Sequence, residues 1–186
     1  RQATQAFDPA TLKQAARLAH RWGWYHQAII TIARAEHWDD LELRFPLAYH
    51  DEVVANAKAD AMDPAWIYAV IRQESAFRAD ARSPVGALGL MQMMPETGQQ
   101  IARDLQDAVD TPNLRQPETN IRYGAHYLRR MLERLQNNPT LATAAYNAGP
   151  NKVMQWLPAD HPVPANVWAE TIPYRETRTY VQRVME

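Results

Sequence analysis

The apolar residues of this chain recur at helical spacing along most of its length, and one stretch breaks the pattern. Between residues 79 and 95, Ser83, Pro84, Gly86 and Gly89 interrupt any regular helix. The chain is therefore expected to pack as helices around one loop, with room in that loop for a short hairpin. The helix before it is announced by Asp63-Pro64, an N-cap followed by proline at the first helical position. On that helix Ile67, Val70, Ile71 and Glu74 share one face. An ionisable group thus stands in line with an apolar stripe, near the carboxyl end of a helix. Apolar surroundings and the negative end of the helix dipole both disfavour a carboxylate. Its pKa is pushed up, which suits a proton donor working near neutral pH.

The remaining segments read as follows. Asp8-Pro9 opens the first helix, whose apolar line is Leu12, Ala15, Ala16 and Ala19, and Trp22-Gly23-Trp24 ends it. A second helix buries Ile29, Ile32 and Ala33 and ends near His37. The pair reads as a helical hairpin, either the last unit of a helical array or a cap on a globular domain. Phe45-Pro46-Leu47 marks a boundary, since proline biases its predecessor away from helix. The expected division is a helical hairpin and linker over 1–45 and a main domain over 46–186. Further helices are expected over 51–59, 97–105, 118–136 and 141–147, the last stopped by Gly149-Pro150. A short helix carries Val153, Trp156 and Leu157. A connection with Pro158, Pro162 and Pro164 leads to a final helix holding Tyr180, Val181 and Val184.

Composition removes several classes of function. The 186 residues carry a net charge of −1 with both signs interspersed, which argues against a non-specific nucleic-acid or anionic-membrane binder. With no cysteine there are neither disulfides nor thiolate metal sites. The longest apolar run, 65–71, is far too short to span a bilayer. The chain begins with Arg1 and shows no signal peptide, so it reads as a processed product or an excised fragment. His20, His26, His37, His50, His126 and His161 lack the spacing of a metal site. Ser75 and Ser83 lie in no hydrolase elbow, and there is no glycine-rich phosphate loop. Neither a metal nor a cofactor is expected.

Each candidate for chemistry also has a plain alternative. Arg78 stands four residues after Glu74, and a surface ion pair would account for both. In the loop, Gly86 and Gly89 let backbone approach a ligand, Gln92 can hydrogen-bond it, and Met91, Met93 and Met94 supply adaptable walls. The same stretch equally reads as a turn whose methionines fill the core. Tyr146 reads first as a half-buried core tyrosine, and second as a hydroxyl able to hold or tune Glu74. Asn147 reads as a helix-end residue. Most glycosidases flank the scissile bond with two carboxylates. Between Glu74 and Glu96 the only acid is Asp80, so a single acid suffices only where the substrate supplies the nucleophiles.

Five stretches then assemble in order: Gln73-Glu74-Ser75-Ala76-Phe77, Ser83-Pro84-Val85-Gly86-Ala87, Gly89-Leu90-Met91-Gln92, Ala145-Tyr146-Asn147-Ala148-Gly149 and Ile172-Pro173-Tyr174-Arg175-Glu176-Thr177-Arg178. Together they resemble the soluble lytic transglycosylases of bacterial cell-wall metabolism, over about residues 46 to 186. Residues 1 to 45 resemble the end of the helical superhelix that precedes the catalytic domain in larger members. The resemblance implies a mainly α, goose-type lysozyme-like fold with a small β hairpin beside the cleft. It implies cleavage of the β-1,4 bond between N-acetylmuramic acid and N-acetylglucosamine in peptidoglycan. Glu74 is then the sole catalytic acid/base, with assistance from the muramic N-acetyl group and closure of a 1,6-anhydro ring. Tyr146 matches the tyrosine beside the acid, and Ser83, Gln92, Met94 and Glu170 match positions lining the sugar cleft. A periplasmic location follows from the substrate. Protein partners are left open, with cell-wall synthesis or remodelling proteins and contacts through the N-terminal hairpin as the candidates. Gln116 stands where the family usually has aspartate, which weakens the cap of the long helix, and Met93 replaces a usual isoleucine. The alternatives are a lysozyme-type hydrolase on the same fold and a catalytically silent wall-binding module.

Overall fold

The structure, a computed structural model, describes residues 7–108, 111–158 and 163–186. Pro162 and His161, which entered the reading of the sequence, lie outside them, as do residues 1–6 of the expected hairpin segment. The described residues form eleven helices: α1 (Pro9–Arg21), α2 (Tyr25–Arg34), α3 (Leu41–Arg44), α4 (His50–Ala59), α5 (Pro64–Glu74), α6 (Pro95–Asp104), α7 (Pro117–Arg134), α8 (Pro139–Ala148), α9 (Pro150–Trp156), α10 (Ala165–Thr171) and α11 (Arg175–Met185).

The capping residues work as their chemistry demands. Asp8 accepts from the amides of Ala10 and Thr11, both at 3.0 Å, and Asp63 accepts from Ala65 N at 2.8 Å. Asn138 does the same for Thr140 and Leu141. Gln116 heads the longest helix and makes no side-chain cap bond. Two helices escaped the periodicity. α3 is a single turn, and α10 follows a proline that breaks the run of signal before it.

The main core gathers Val53 and Ala57 from α4, Ile67, Val70 and Ile71 from α5, Ile121, Ala125 and Leu128 from α7, and Tyr180 and Val184 from α11. A second core joins Ala142, Ala144 and Ala145 to Met131, Trp168, Ile172 and Val181. The hairpin α1–α2 has its own small core of Leu12, Ala16, Ile32, Ala35 and Leu43, with Ala15 and Ala33 only half-buried. Ile29 leaves that cluster and packs into the main core.

The expected hairpin in the loop reduces to two isolated antiparallel bridges, Arg82 with Leu88 and Leu88 with Met93, and no strand forms among the described residues. Left-handed backbone at Gly86, Gly89 and Gln92 prevents an extended run. Buried polar contacts hold the loop instead. The Asn120 side chain, fully buried on α7, accepts from Met91 N at 2.7 Å and donates to Leu88 O at 2.9 Å and Leu114 O at 2.7 Å. A Cβ at Gly89 would collide with Leu114 O and the Asn120 amide, and one at Gly124 with the Met91 sulfur.

Replacing Asn120 by alanine strands the Met91 N–H and the Leu114 carbonyl in a dry interior, while Leu88 O keeps its bond from Met93 N at 2.9 Å. We expect a loss of about 3 kcal/mol or more, read from urea unfolding. A loss below about 1 kcal/mol would mean that water or a neighbour replaces the amide.

Candidate active site

Glu74 is the last residue of α5, and the three residues that share its stripe, Ile67, Val70 and Ile71, are fully buried. The chain leaves the helix through two successive left-handed residues, Ala76 (φ 49°) and Phe77 (φ 64°). Phe77 is thereby turned into the core against Tyr68, at 6.2 Å between rings. This sharp exit leaves the Glu74 side chain half-buried at the edge of the apolar stripe. The ion pair with Arg78 is not formed, because Arg78 Nε reaches Asp80 Oδ1 at 2.9 Å.

No cation neutralises Glu74 among the described residues, and burial lifts its carboxyl from an ordinary 4.5 to about 7. The charge of Glu176 pushes the same way, while the Tyr180 hydroxyl pulls the value down. That hydroxyl is buried and close enough to favour the carboxylate, yet no hydrogen bond of ordinary geometry joins the pair.

A cleft of about 570 Å³ opens over Glu74, lined by Asn147 from α8 and by Arg175, Glu176, Thr179, Tyr180 and Arg183 from α11. Thr177 fixes Asn147 by donating its hydroxyl proton to Asn147 Oδ1 at 2.7 Å. The lining from α11 repeats at helical spacing, so a polar stripe beside Tyr180 was available in the sequence. Arg175 and Glu176 enter the sequence reading only as part of a motif, and Thr179 and Arg183 do not enter it. Asn147 stands at the end of α8 as its sequence suggests, and from there it also lines the cleft.

The other expected site residues are dispersed around this centre. Tyr146 donates its hydroxyl to Met91 O at 2.8 Å and reaches the Met93 sulfur at 3.4 Å, so it ties the loop to α8 and does not bond Glu74. Burial and the nearby Glu74 charge keep it protonated well above the usual tyrosine range. Ser83 Oγ accepts from Ala87 N at 2.9 Å, and Gln92 Nε2 donates to Gly89 O at 2.9 Å. Both keep unused hydrogen-bonding functions for a ligand, among them the Ser83 hydroxyl proton and the Gln92 carbonyl. Met94 lies in a separate groove of about 480 Å³ beside Val85 and Gly86. Glu170 is exposed on α10, accepts from Gln182 Nε2 at 2.8 Å and does not line the Glu74 cleft. The acid of that region which does line it is Glu176. Among the described residues no cluster of histidine and carboxylate side chains could hold a metal ion.

Comparison with known proteins meets this geometry. The transglycosylase SLT domain matches residues 52–168, and the soluble lytic murein transglycosylase L domain matches residues 1–41. This chain belongs to the transglycosylase SLT domain family, and its fold is mainly helical and lysozyme-like. It is 38% identical to a soluble lytic murein transglycosylase of Salmonella typhimurium over 92% of its own length and 27% of that protein's. Among solved structures it resembles the lytic transglycosylase Slt of Pseudomonas aeruginosa, studied as an inactive glutamate-to-glutamine mutant, with 46% identity and a TM-score of 0.92. The 70 kDa soluble lytic transglycosylase of Escherichia coli gives 35% identity and the same TM-score. Each of these alignments covers 98% of this chain and 30% of the structure, so the chain spans less than a third of the proteins it matches.

Two titration experiments probe the acid. The folded state holds the Glu74 proton more tightly than the unfolded chain, so stability falls as pH rises from 4.5 through 7. The full penalty is at most about 3 kcal/mol, less whatever solvent screening removes from a half-buried group. Glu74→Gln should therefore be more stable than the parent by about 1–3 kcal/mol at pH ~8 and lose that advantage below pH ~4.5, read from melting curves across pH. Tyr180→Phe removes the group that favours the charged form, so Glu74 should titrate above 7 in carboxyl NMR, with no loss of stability.

Proposed function

We propose that this chain is the catalytic part of a peptidoglycan lytic transglycosylase, with Glu74 as its single acid/base. The observation that carries the reading is a carboxyl group near pKa 7, unpaired with any cation, at the floor of a polar cleft. Such a group is substantially protonated at neutral pH and still able to return as a base within the same turnover. The inactive glutamate mutant of the Pseudomonas aeruginosa relative supports a chemistry that rests on one such residue.

The reaction cleaves the β-1,4 bond between N-acetylmuramic acid and N-acetylglucosamine. Glu74 gives its proton to the glycosidic oxygen as the bond to the anomeric carbon breaks. The oxygen of the muramic N-acetyl group attacks that carbon and holds it as a cyclic oxazolinium. Glu74, now a carboxylate, takes the proton of the C6 hydroxyl, and O6 displaces the acetamido oxygen. A 1,6-anhydro ring closes, Glu74 is protonated again, and no water is consumed.

Tyr146 acts here as a positioning residue through Met91, and Ser83, Gln92 and Met94 lie outside the Glu74 cleft, where they meet the sugar strand beyond it. Glu176 takes the role that the resemblance assigned to Glu170, because it shares the cleft with the acid. Residues 46–186 form the catalytic domain and residues 1–45 the end of a preceding helical segment. The substrate sets the location outside the cytoplasmic membrane, in the periplasm. No helix among the described residues is long and apolar enough to cross a membrane.

One observation favours a second reading. Glu176 raises the Glu74 pKa by its charge and lines the same cleft, so it is placed to activate a water as in a lysozyme-type hydrolase. Digestion of purified sacculi with mass analysis separates the two. Anhydromuramic ends resist borohydride and are lighter by one water, whereas reducing muramic ends establish hydrolysis. Glu74→Gln should abolish muropeptide release while the fold survives. Release at the parental rate would move the chemistry elsewhere and leave a wall-binding module.

A further inference from the structure

The bend that follows α5 is one that residues with a Cβ adopt only under constraint. Ala76 and Phe77 are left-handed in succession, at φ 49° and 64°. Such backbone persists where its surroundings hold it. Phe77 is held by its ring in the core, and Arg78 N closes the turn on Ser75 O at 3.2 Å. The Ala76 amide is spent on Arg72 O at 3.2 Å, whereas no backbone amide among the described residues donates to the Ala76 carbonyl.

That carbonyl is met by His26, 50 residues earlier in the chain, whose Nδ1 lies 3.3 Å from the oxygen. A carbonyl only accepts, so Nδ1 carries the hydrogen, and it does so in the neutral tautomer and in the imidazolium alike. His26 is the second residue of α2, half-buried, and shares a face with Ile29, which is seated in the main core. Tyr25 beside it packs against Tyr49, with 6.5 Å between ring centroids. The imidazole is therefore presented from a helix end fixed on the main body. Asp80 is near enough to feel a charge on His26, but its carboxylate is committed to Arg78 Nε at 2.9 Å. The ring is left to the carbonyl, and it ties the bend to an element outside α5.

We propose that His26 is a positioning residue for Glu74, its hydrogen bond to Ala76 O fixing the bend that aims the carboxyl into the cleft. The inference rests on the reading of Glu74 as the acid. Glu74 stands two residues before the held carbonyl, so a bend free to relax carries its side chain along. Relaxation admits water around the carboxyl and undoes the burial that holds it near 7. It also takes the proton donor out of line with the glycosidic oxygen, where a shift of about 1 Å can cost about a hundredfold in rate. The α1–α2 hairpin thereby serves the chemistry without touching substrate.

The test uses the whole chain with two changes at one position. His26→Phe keeps a ring and removes the donor, whereas His26→Asn places an amide N–H where Nδ1 stood. With phenylalanine, Glu74 should titrate below 7, toward 4.5, in carboxyl NMR. The kcat on a defined glycan strand should fall about tenfold, with KM held within about twofold. Asparagine should restore both readouts to near the parent. Ile32→Val, in the hairpin's own core, loosens the same segment without reaching the bend, and it should leave the titration and kcat as they were. A parental Glu74 titration in His26→Phe overturns the proposal, as does an asparagine variant no better than phenylalanine. Failure of the acid reading looks different: Glu74→Gln then digests sacculi at the parental rate, while the Glu74 titration still moves in His26→Phe.

Discussion

The buried amide of Asn120 is the contact on which the loop, and with it the cleft, depends. A segment with three left-handed residues and no strand cannot satisfy its own backbone, and an unpartnered buried amide or carbonyl costs about 1–3 kcal/mol each. Asn120 answers two such groups from within the long helix α7, at Met91 and Leu114, and adds a second bond to Leu88 O, which also accepts from Met93 N. Met91 is then gripped from both sides, its N–H by Asn120 and its carbonyl by Tyr146. Tyr146 is braced in turn by Tyr127, with ring centroids 5.4 Å apart. The chain of contacts runs from α7 through the loop to α8 and stops at the cleft.

Three influences set the acid, the smallest of them the charge of Glu176, which raises its pKa. Withdrawal from water pushes the carboxyl upward, and the Tyr180 hydroxyl pulls it back. Burial is the larger, because the basic side chains nearest in sequence are committed elsewhere: Arg78 to Asp80 and Arg72 to the Arg44 carbonyl. A single arginine within ion-pair reach would drop the pKa and leave a carboxylate with no proton to give. The fold holds the Glu74 carboxyl near neutral pKa by burying it and denying it a counter-ion.

The sequence carried the helices and the acid plainly and carried the rest of the site poorly. Asp8, Asp63 and Asn138 write their helix starts into the chain, because a capping side chain bonds only two or three residues ahead. Glu74 was legible for a similar reason, since its stripe mates lie within two turns on the same helix. Asn120 was not, because its partners lie as far as 32 residues away and its type gives no hint of burial. Tyr180 passed as a core tyrosine, and only the crossing of α11 against α5 shows that its hydroxyl faces an acid. Glu170 and Glu176 are both acids near the end of the chain. The turn between α10 and α11 decides which of them meets the cleft, and that turn has no signature a periodicity could register.

The hairpin of α1 and α2 is separable along the chain but not in packing. Ile29 is seated among the side chains of α4, α5 and α7, and His26 touches the Ala76 carbonyl just past the acid, at 3.3 Å. Severing the polypeptide at the linker would open an oily socket in the remaining body and release a brace from the bend that aims Glu74. The joint between the two segments is thereby part of the support beneath the Glu74 cleft.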